Sequence, residues 1–185
     1  TKDVDVGNAT NILNEVIRRI DKNSNVNTVV GGFIGVGDKS LTVAKGSDAA
    51  GQFEYHGENY AIKASSVKAD DLKNLKVDGN NYSFTLENVT SPQKDESSAL
   101  SRLTNDFLTK DEVTTEIAKF TKAITVNSVD VNYTNITVTM TIENGNLTNF
   151  KLSYDFDAAL TLKVLATING TGAAHSDATY TNFVY

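Results

Sequence analysis

Between Ile136 and Ile168 the chain repeats one period so regularly that the pattern fixes the fold class. Ile136, Val138, Met140 and Ile142 form one apolar row, Phe150, Leu152, Tyr154 and Phe156 a second, and Leu160, Leu162 and Val164 a third. Thr, Asn, Ser, Lys and Asp fill most positions between them. A period of two places each row on one face of a strand, and the polar intervals leave the other face wet, as antiparallel sheets allow. The spacing predicts three strands. A two-residue Asn144-Gly145 loop would pair Ile142 with Leu147 and Met140 with Asn149, throwing Phe150 and Leu152 onto the face opposite Val138. A three-residue loop of Glu143, Asn144 and Gly145, with Gly145 left-handed in a bulge, pairs Val138 with Phe150 and Ile136 with Leu152. This second register is the one expected, because it keeps the apolar rows together.

The 185 residues suffice for one domain spanning 1–185, which at this size buries roughly 70% of its unfolded surface. With 17 basic against 23 acidic residues, a net charge of -6 and no basic cluster, neither nucleic acid nor an anionic membrane surface is an expected partner. The absence of Cys excludes a disulfide framework, a thiol nucleophile and thiolate metal sites. No run of eighteen apolar residues is present to span a bilayer as a helix. A Cys-free, Asn- and Thr-rich chain that begins at Thr1 reads as a secreted protein whose signal segment has been removed, so an extracytoplasmic location is expected.

In chain order, Asn8 or Thr10 is a candidate N-cap for an amphipathic helix with Ile12, Leu13, Val16, Ile17 and Ile20 on one face, ending near 21–25. Asp3, Asp5 and Gly7 faintly resemble a calcium loop, but its twelfth position is Asn14 and no bidentate Glu follows, so a frayed terminus is expected. Val26 to Val43 reads as strands with Gly31, Gly32, Gly35 and Gly37 interleaved. Their order fits no phosphate-binding loop, and a bulge or close backbone approach is the plainer explanation. Phe53, Tyr55, Tyr60 and Ile62 suggest a hairpin turning through 56–59. Ala69 to Val77 fits a short helix or a strand, and an Asp78-Gly79 turn favours a strand that pairs with Tyr82, Phe84 and Leu86. The polar stretch Ser91 to Ser98, with Pro92, leads to a helical pair. Leu100, Leu103 and Phe107 line the first helix. A Thr109/Glu112 capping box opens the second, striped by Val113, Ile117 and Phe120. Ile124, Val126, Val129, Val131 and Tyr133 return to sheet, and Tyr180, Phe183 and Tyr185 mark a closing strand. A run of strands interrupted by helices predicts an α+β fold.

No catalytic or metal motif accompanies this pattern. His56 and His175 read as solvent-facing loop residues, without HExxH, GxSxG or Cys/His spacing. Asp155 and Asp157 flank Phe156 and point away from the apolar face as a wet surface. Asp70-Asp71 and Asp95-Glu96 suit helix starts. The seven Asn-x-Ser/Thr triplets, at Asn8, Asn81, Asn88, Asn132, Asn135, Asn146 and Asn169, reflect composition. A hydrolase would need His56 or His175 beside a carboxylate in a cleft. No enzyme activity, cofactor or metal is expected.

What remains is a large apolar sheet face with few helices to cover it. The order of helix, antiparallel strands, helical insert and long hairpins, closing in Ala178-Thr179-Tyr180-Thr181-Asn182-Phe183, resembles the bacterial lipoprotein-carrier and lipid-binding lipoprotein superfamily. That resemblance implies a curved antiparallel half-barrel, with the N-terminal helix and the mid-chain pair on its concave face, holding acyl chains or lipidated proteins. The chain lacks that family's lipidation Cys, and its Gly31 to Gly37 stretch departs from the long regular first strands. The expected ligand is a lipid or other apolar molecule, or a lipidated protein partner, lined by Phe33, Ile136, Val138, Met140, Phe150, Leu152, Tyr154 and Leu162. The alternative is a cell-surface structural or interaction module with a closed core and no ligand.

Overall fold

A computed structural model describes residues 4–20, 22–36, 39–43, 62–63, 67–120, 125–163 and 165–185. Helix α1 (Val6–Arg18) precedes strands β1 (Lys22–Val36), β2 (Lys39–Val43), β3 (Lys73–Asp78), β4 (Asn81–Thr85) and β5 (Val89–Thr90). Helices α2 (Ala99–Leu103) and α3 (Lys110–Phe120) follow, then β6 (Thr125–Glu143), β7 (Asn146–Lys163) and β8 (Thr167–Val184). The strands form one antiparallel sheet in the order β2-β1-β8-β7-β6-β4-β3, with β5 also on β6. The sheet is curved and open, and the helices lie on its concave face, which is the expected α+β architecture.

The three predicted regular strands are in fact parts of two long ones. Ile136 to Ile142 is the second half of β6, and the rows starting at Phe150 and at Leu160 run on through β7. In β6 the buried residues Val129, Val131 and Tyr133 are odd-numbered, whereas Ile136, Val138, Met140 and Ile142 are even-numbered. The change of parity falls at Asn135. Its φ is +48°, and there the pairing skips from Thr134↔Asp155 to Thr137↔Ser153. One extra residue in a bulge keeps both halves of the strand facing inward while bending it.

The β6–β7 turn corrects the expected register. Asn144 and Gly145 form a two-residue loop with φ of +51° and +78°, the geometry an Asn-Gly turn favours, and Glu143 pairs with Asn146. Ile142 therefore meets Leu147. An extra residue at Thr148 then restores the phase, so that Met140 pairs with Phe150 and Val138 with Leu152. The apolar rows stay together, through a bulge after the turn and not through a longer loop.

Strand β8 is far longer than the closing segment expected from Tyr180, Phe183 and Tyr185, and its earlier inward positions carry small residues that give no apolar period. Gly170, Gly172, Ser176 and Ala178 are buried and stand opposite Leu160, Ala158, Tyr154 and Leu152 of β7. Bulky β7 side chains thus fill the space that β8 leaves. His175, expected in a loop, lies within this strand.

Several boundaries move for local reasons. Helix α1 is capped by Asp5, whose carboxylate accepts from the Asn8 amide at 3.0 Å, so the terminal acidic residue caps the helix and is not frayed. The helix ends at Arg18, before the expected stop. Val26 to Val36 belongs to a single strand through its glycines, followed by a separate β2. Ala69–Asp71 is a 3-10 turn and Lys73–Asp78 a strand. The turn to β4 sits at Gly79-Asn80, one residue later than expected, with Val77 opposite Tyr82. Ile62 pairs with Thr104; the rest of the expected 53–62 hairpin, and His56, lie outside the described residues.

Candidate functional site: the concave face and its helical cover

The floor of the site is the apolar face of β6, β7 and β8. Ile136, Val138, Met140, Phe150, Leu152, Tyr154 and Leu162 all belong to it, and none is more than 5% exposed. Phe33 lies in β1 at the register position opposite Ala173; its side chain is outside the described residues. The roof is built by the helical pair. Leu100 and Leu103 of α2 and Val113 of α3 are buried in the same core, and so is Phe107, which was expected on the first helix but lies in the link after it because α2 stops at Leu103. The Thr109/Glu112 box is formed: the Thr109 amide donates to Oε2 of Glu112 at 2.8 Å, and the Glu112 amide donates to Oγ1 of Thr109 at 3.2 Å. α2 has its own box between Ser98 and Ser101.

Between roof and floor runs a set of polar contacts that the apolar pattern does not announce. The Tyr133 hydroxyl donates to the Leu108 carbonyl at 2.7 Å and accepts from the Leu108 amide at 2.9 Å. The Tyr180 hydroxyl donates to the Asp106 carboxylate. Two tyrosines from the sheet thus hold residues 106–108, within the 104–109 link between α2 and α3. Around them, Phe107 meets Tyr133 edge-on with ring centroids 6.0 Å apart, and Tyr133 meets Tyr154 at 5.0 Å and Phe156 at 5.4 Å. Asp106 is buried, and loss of water raises its pKa above the ordinary carboxylate value, although the Tyr180 hydroxyl and the Lys94 charge act the other way. Lys94 itself pairs with Glu112 at 2.7 Å and lies 5.8 Å from the centre of the Phe107 ring.

Further ties fasten the cover at its rim. Arg102 forks onto buried Asp71 at 2.9 and 2.5 Å. Burial pushes the Asp71 pKa up, but the Arg102 fork, the Lys68 amide and both cationic charges outweigh it, and the net shift is downward. The Asn14 side chain acts as a strand end, donating to the Val67 carbonyl at 2.8 Å and accepting from its amide at 3.2 Å. Arg19 reaches the Gly145 carbonyl and so pins α1 to the β6–β7 turn.

On the opposite face, Asp155 and Asp157 point outward as expected, held by Asn135 and Asn132 at 2.8 and 2.9 Å. His175 is not a free loop histidine. Its Nδ1 lies 2.6 Å from Asp155 and its Nε2 lies 3.1 Å from Asp177, and Ser153 donates to Asp177. The hydrogen bond to Asp155 leads the rise in the His175 pKa, opposed by partial burial and reinforced by Asp177. Asp155 is lowered, chiefly by Asn135 and then by His175. This is not a nucleophile-base pair, because the serine proton goes to a carboxylate and the imidazole is occupied at both nitrogens. The group sits half-exposed on a sheet face. Among the described residues no group of His, Cys, Asp or Glu is arranged to hold a metal ion, and no helix is long and apolar enough to cross a membrane.

Comparison with family models, curated proteins and solved structures returns no match to this chain.

Sequence reasoning marked the apolar rows of β6 and β7 and the Thr109/Glu112 box but missed Asp106, Tyr133 and Tyr180 as a connected set. The one available signal was a carboxylate set between Leu103 and the apolar pair Phe107-Leu108.

Proposed function

We propose that this is a non-enzymatic extracytoplasmic protein that takes up an apolar ligand, or the acyl chain of a lipidated partner, between the concave sheet face and the helical cover. The observation that carries this reading is the polar interface under the cover. The contacts that cross it are those of the Tyr180 hydroxyl with buried Asp106 and of the Tyr133 hydroxyl with the Leu108 main chain, whereas buried Ser101, Thr104 and Thr109 bond within the cover itself. Polar contacts hold two surfaces together less strongly than the same area of apolar packing, and they regain water when separated. A permanent core gains nothing from a buried carboxylate there. A cover that must come away does. The pattern resemblance to the lipoprotein-carrier superfamily points the same way.

A second reading, a cell-surface interaction module with a permanently closed core, is favoured by the burial of the seven floor residues. The two readings separate by native mass spectrometry of the purified protein, with organic extraction and lipid analysis, beside a thermal-shift series with fatty acids and phospholipids. A co-purifying lipid, or a dose-dependent rise in melting temperature, supports uptake, since anything that binds only the folded state raises its stability. A clean apo mass with no shift supports the closed module.

A further inference from the structure

The cover has the features of a lid with a defined latch and a defined hinge. On the latch side, the 106–108 segment is held to β6 and β8 through the hydroxyls of Tyr133 and Tyr180, at the tip between α2 and α3. On the hinge side, the polar stretch from Ser91 to Ser98 contains two non-glycine residues in the left-handed region, Ser91 at φ +46° and Glu96 at φ +66°, with Pro92 between them. Left-handed residues outside glycine are strained, and strain of this kind gathers at segments that change conformation. Ser91 also fixes the near end of the hinge, its amide donating to the Val131 carbonyl at 2.6 Å.

We propose that residues 99–118 open as a unit about the Ser91–Ser98 segment, and that the Tyr133 and Tyr180 hydroxyls are the central latch on the sheet, beside the rim ties that opening must also break: the Arg102–Asp71 fork and the pairing of Leu103 and Thr104 with 62–63. This rests on the uptake reading for its purpose but not for its evidence. In the closed state each hydroxyl satisfies a group of the lid: the partly buried Leu108 amide and carbonyl, and the buried Asp106 carboxylate. In the open state those groups meet water. Removing a hydroxyl therefore penalises the closed state selectively, because the lid partner is left unpaired only when it is buried. The strands beneath lose no main-chain hydrogen bond. Opening would uncover Tyr133 and Tyr180, the floor residues that the lid touches.

The test is native-state hydrogen exchange on the full chain, comparing wild type with Tyr133→Phe/Tyr180→Phe and with a control, Tyr82→Phe, on β4. Each lost hydroxyl is expected to raise lid opening about fivefold, so lid amides from 99–118 exchange roughly 25-fold faster in the double variant. Amides of β6 to β8 keep wild-type protection, and the control is unchanged throughout. Equal acceleration of lid and strands, or none in either, overturns the latch. Should the double variant not fold, each single variant gives the same lid-to-strand comparison. Palmitate binding, measured on the same samples, separates this proposal from the previous one. Selective lid opening without palmitate uptake upholds the lid and removes the ligand. Uptake without selective opening removes the lid.

Discussion

Deleting one residue from β6 should have opposite consequences at two exposed positions only four residues apart. Asn135 and Thr139 both face solvent on the same strand. Asn135 is the extra residue of the bulge, so its loss leaves a regular strand in which Tyr133 and Ile136 both still point inward. The deletion relieves a left-handed residue, worth about 1 kcal/mol, and removes the 2.8 Å hydrogen bond to Asp155, worth a similar amount in the other direction. The net change is expected within about 1 kcal/mol. Thr139 is an ordinary outward residue, and its loss breaks the alternation. Either the bulge persists and Met140 and Ile142 turn outward, or the bulge is absorbed and Ile136 and Val138 do. Exposing two such side chains costs about 3–6 kcal/mol, which lowers the melting temperature of a chain this size by roughly 6–24 °C. Thermal and urea unfolding followed by circular dichroism gives both values. If loss of Asn135 destabilises as much as loss of Thr139, the bulge is not what brings the two halves of β6 into phase.

Three further perturbations follow from the charges and turns. Asp106→Asn keeps an acceptor for Tyr180 and removes a carboxyl whose folded pKa is raised. Because a raised acid pKa gives stability that is full below the unfolded value and lost as pH climbs through the folded value, the variant should unfold at higher temperature than wild type at neutral pH. The two should converge below about pH 3.8, with Lys94, Glu112, Tyr133 and Tyr180 the neighbouring groups to hold constant. Asp71→Asn should cost about 2–3 kcal/mol at pH 7, since it removes the charge partner of the largely buried Arg102 and leaves it the Glu96 carbonyl as an acceptor. Here the folded pKa is depressed, so the deficit against wild type should shrink as pH falls through that value, as read from melting temperature against pH. Gly145→Ala should cost about 1 kcal/mol through its φ of +78° alone, because a Cβ there meets nothing closer than the Arg19 guanidinium at 3.7 Å; chemical denaturation checks it.

The parts of the fold legible in the sequence were those written in large side chains. The rows on β6 and β7, the Leu100/Leu103 pair and the Thr109/Glu112 box all carry a periodic or capping signal, and each forms, whereas Phe107 is buried from the link beyond the end of α2. What stayed hidden depends on small residues or on long-range pairing. β8 alternates as strictly as β7, but with Gly, Ser and Ala inward, so its period is invisible until Tyr154 and Leu152 are seen opposite Ser176 and Ala178. Bulges at Asn135 and Thr148 split one strand into two apparent ones and shifted the register of the hairpin, since a phase change in sequence looks the same as a strand end. The polar interface under the cover joins Asp106 to a residue 74 positions away, and His175 joins Asp155 from 20 positions away; neither spacing carries a local signature.

Met140 makes the central proposal directly observable. It is the one methionine of the chain, it is fully buried, and it lies in the middle of the floor beside Phe150. A protein labelled with carbon-13 at the methionine methyl gives a single resonance for that position, to be followed while delipidated protein is titrated with palmitate. The expected result is a saturable shift of the Met140 methyl as the acyl chain enters the core around it. A resonance that stays fixed through the titration, with the ligand free in solution, would contradict uptake on the concave face.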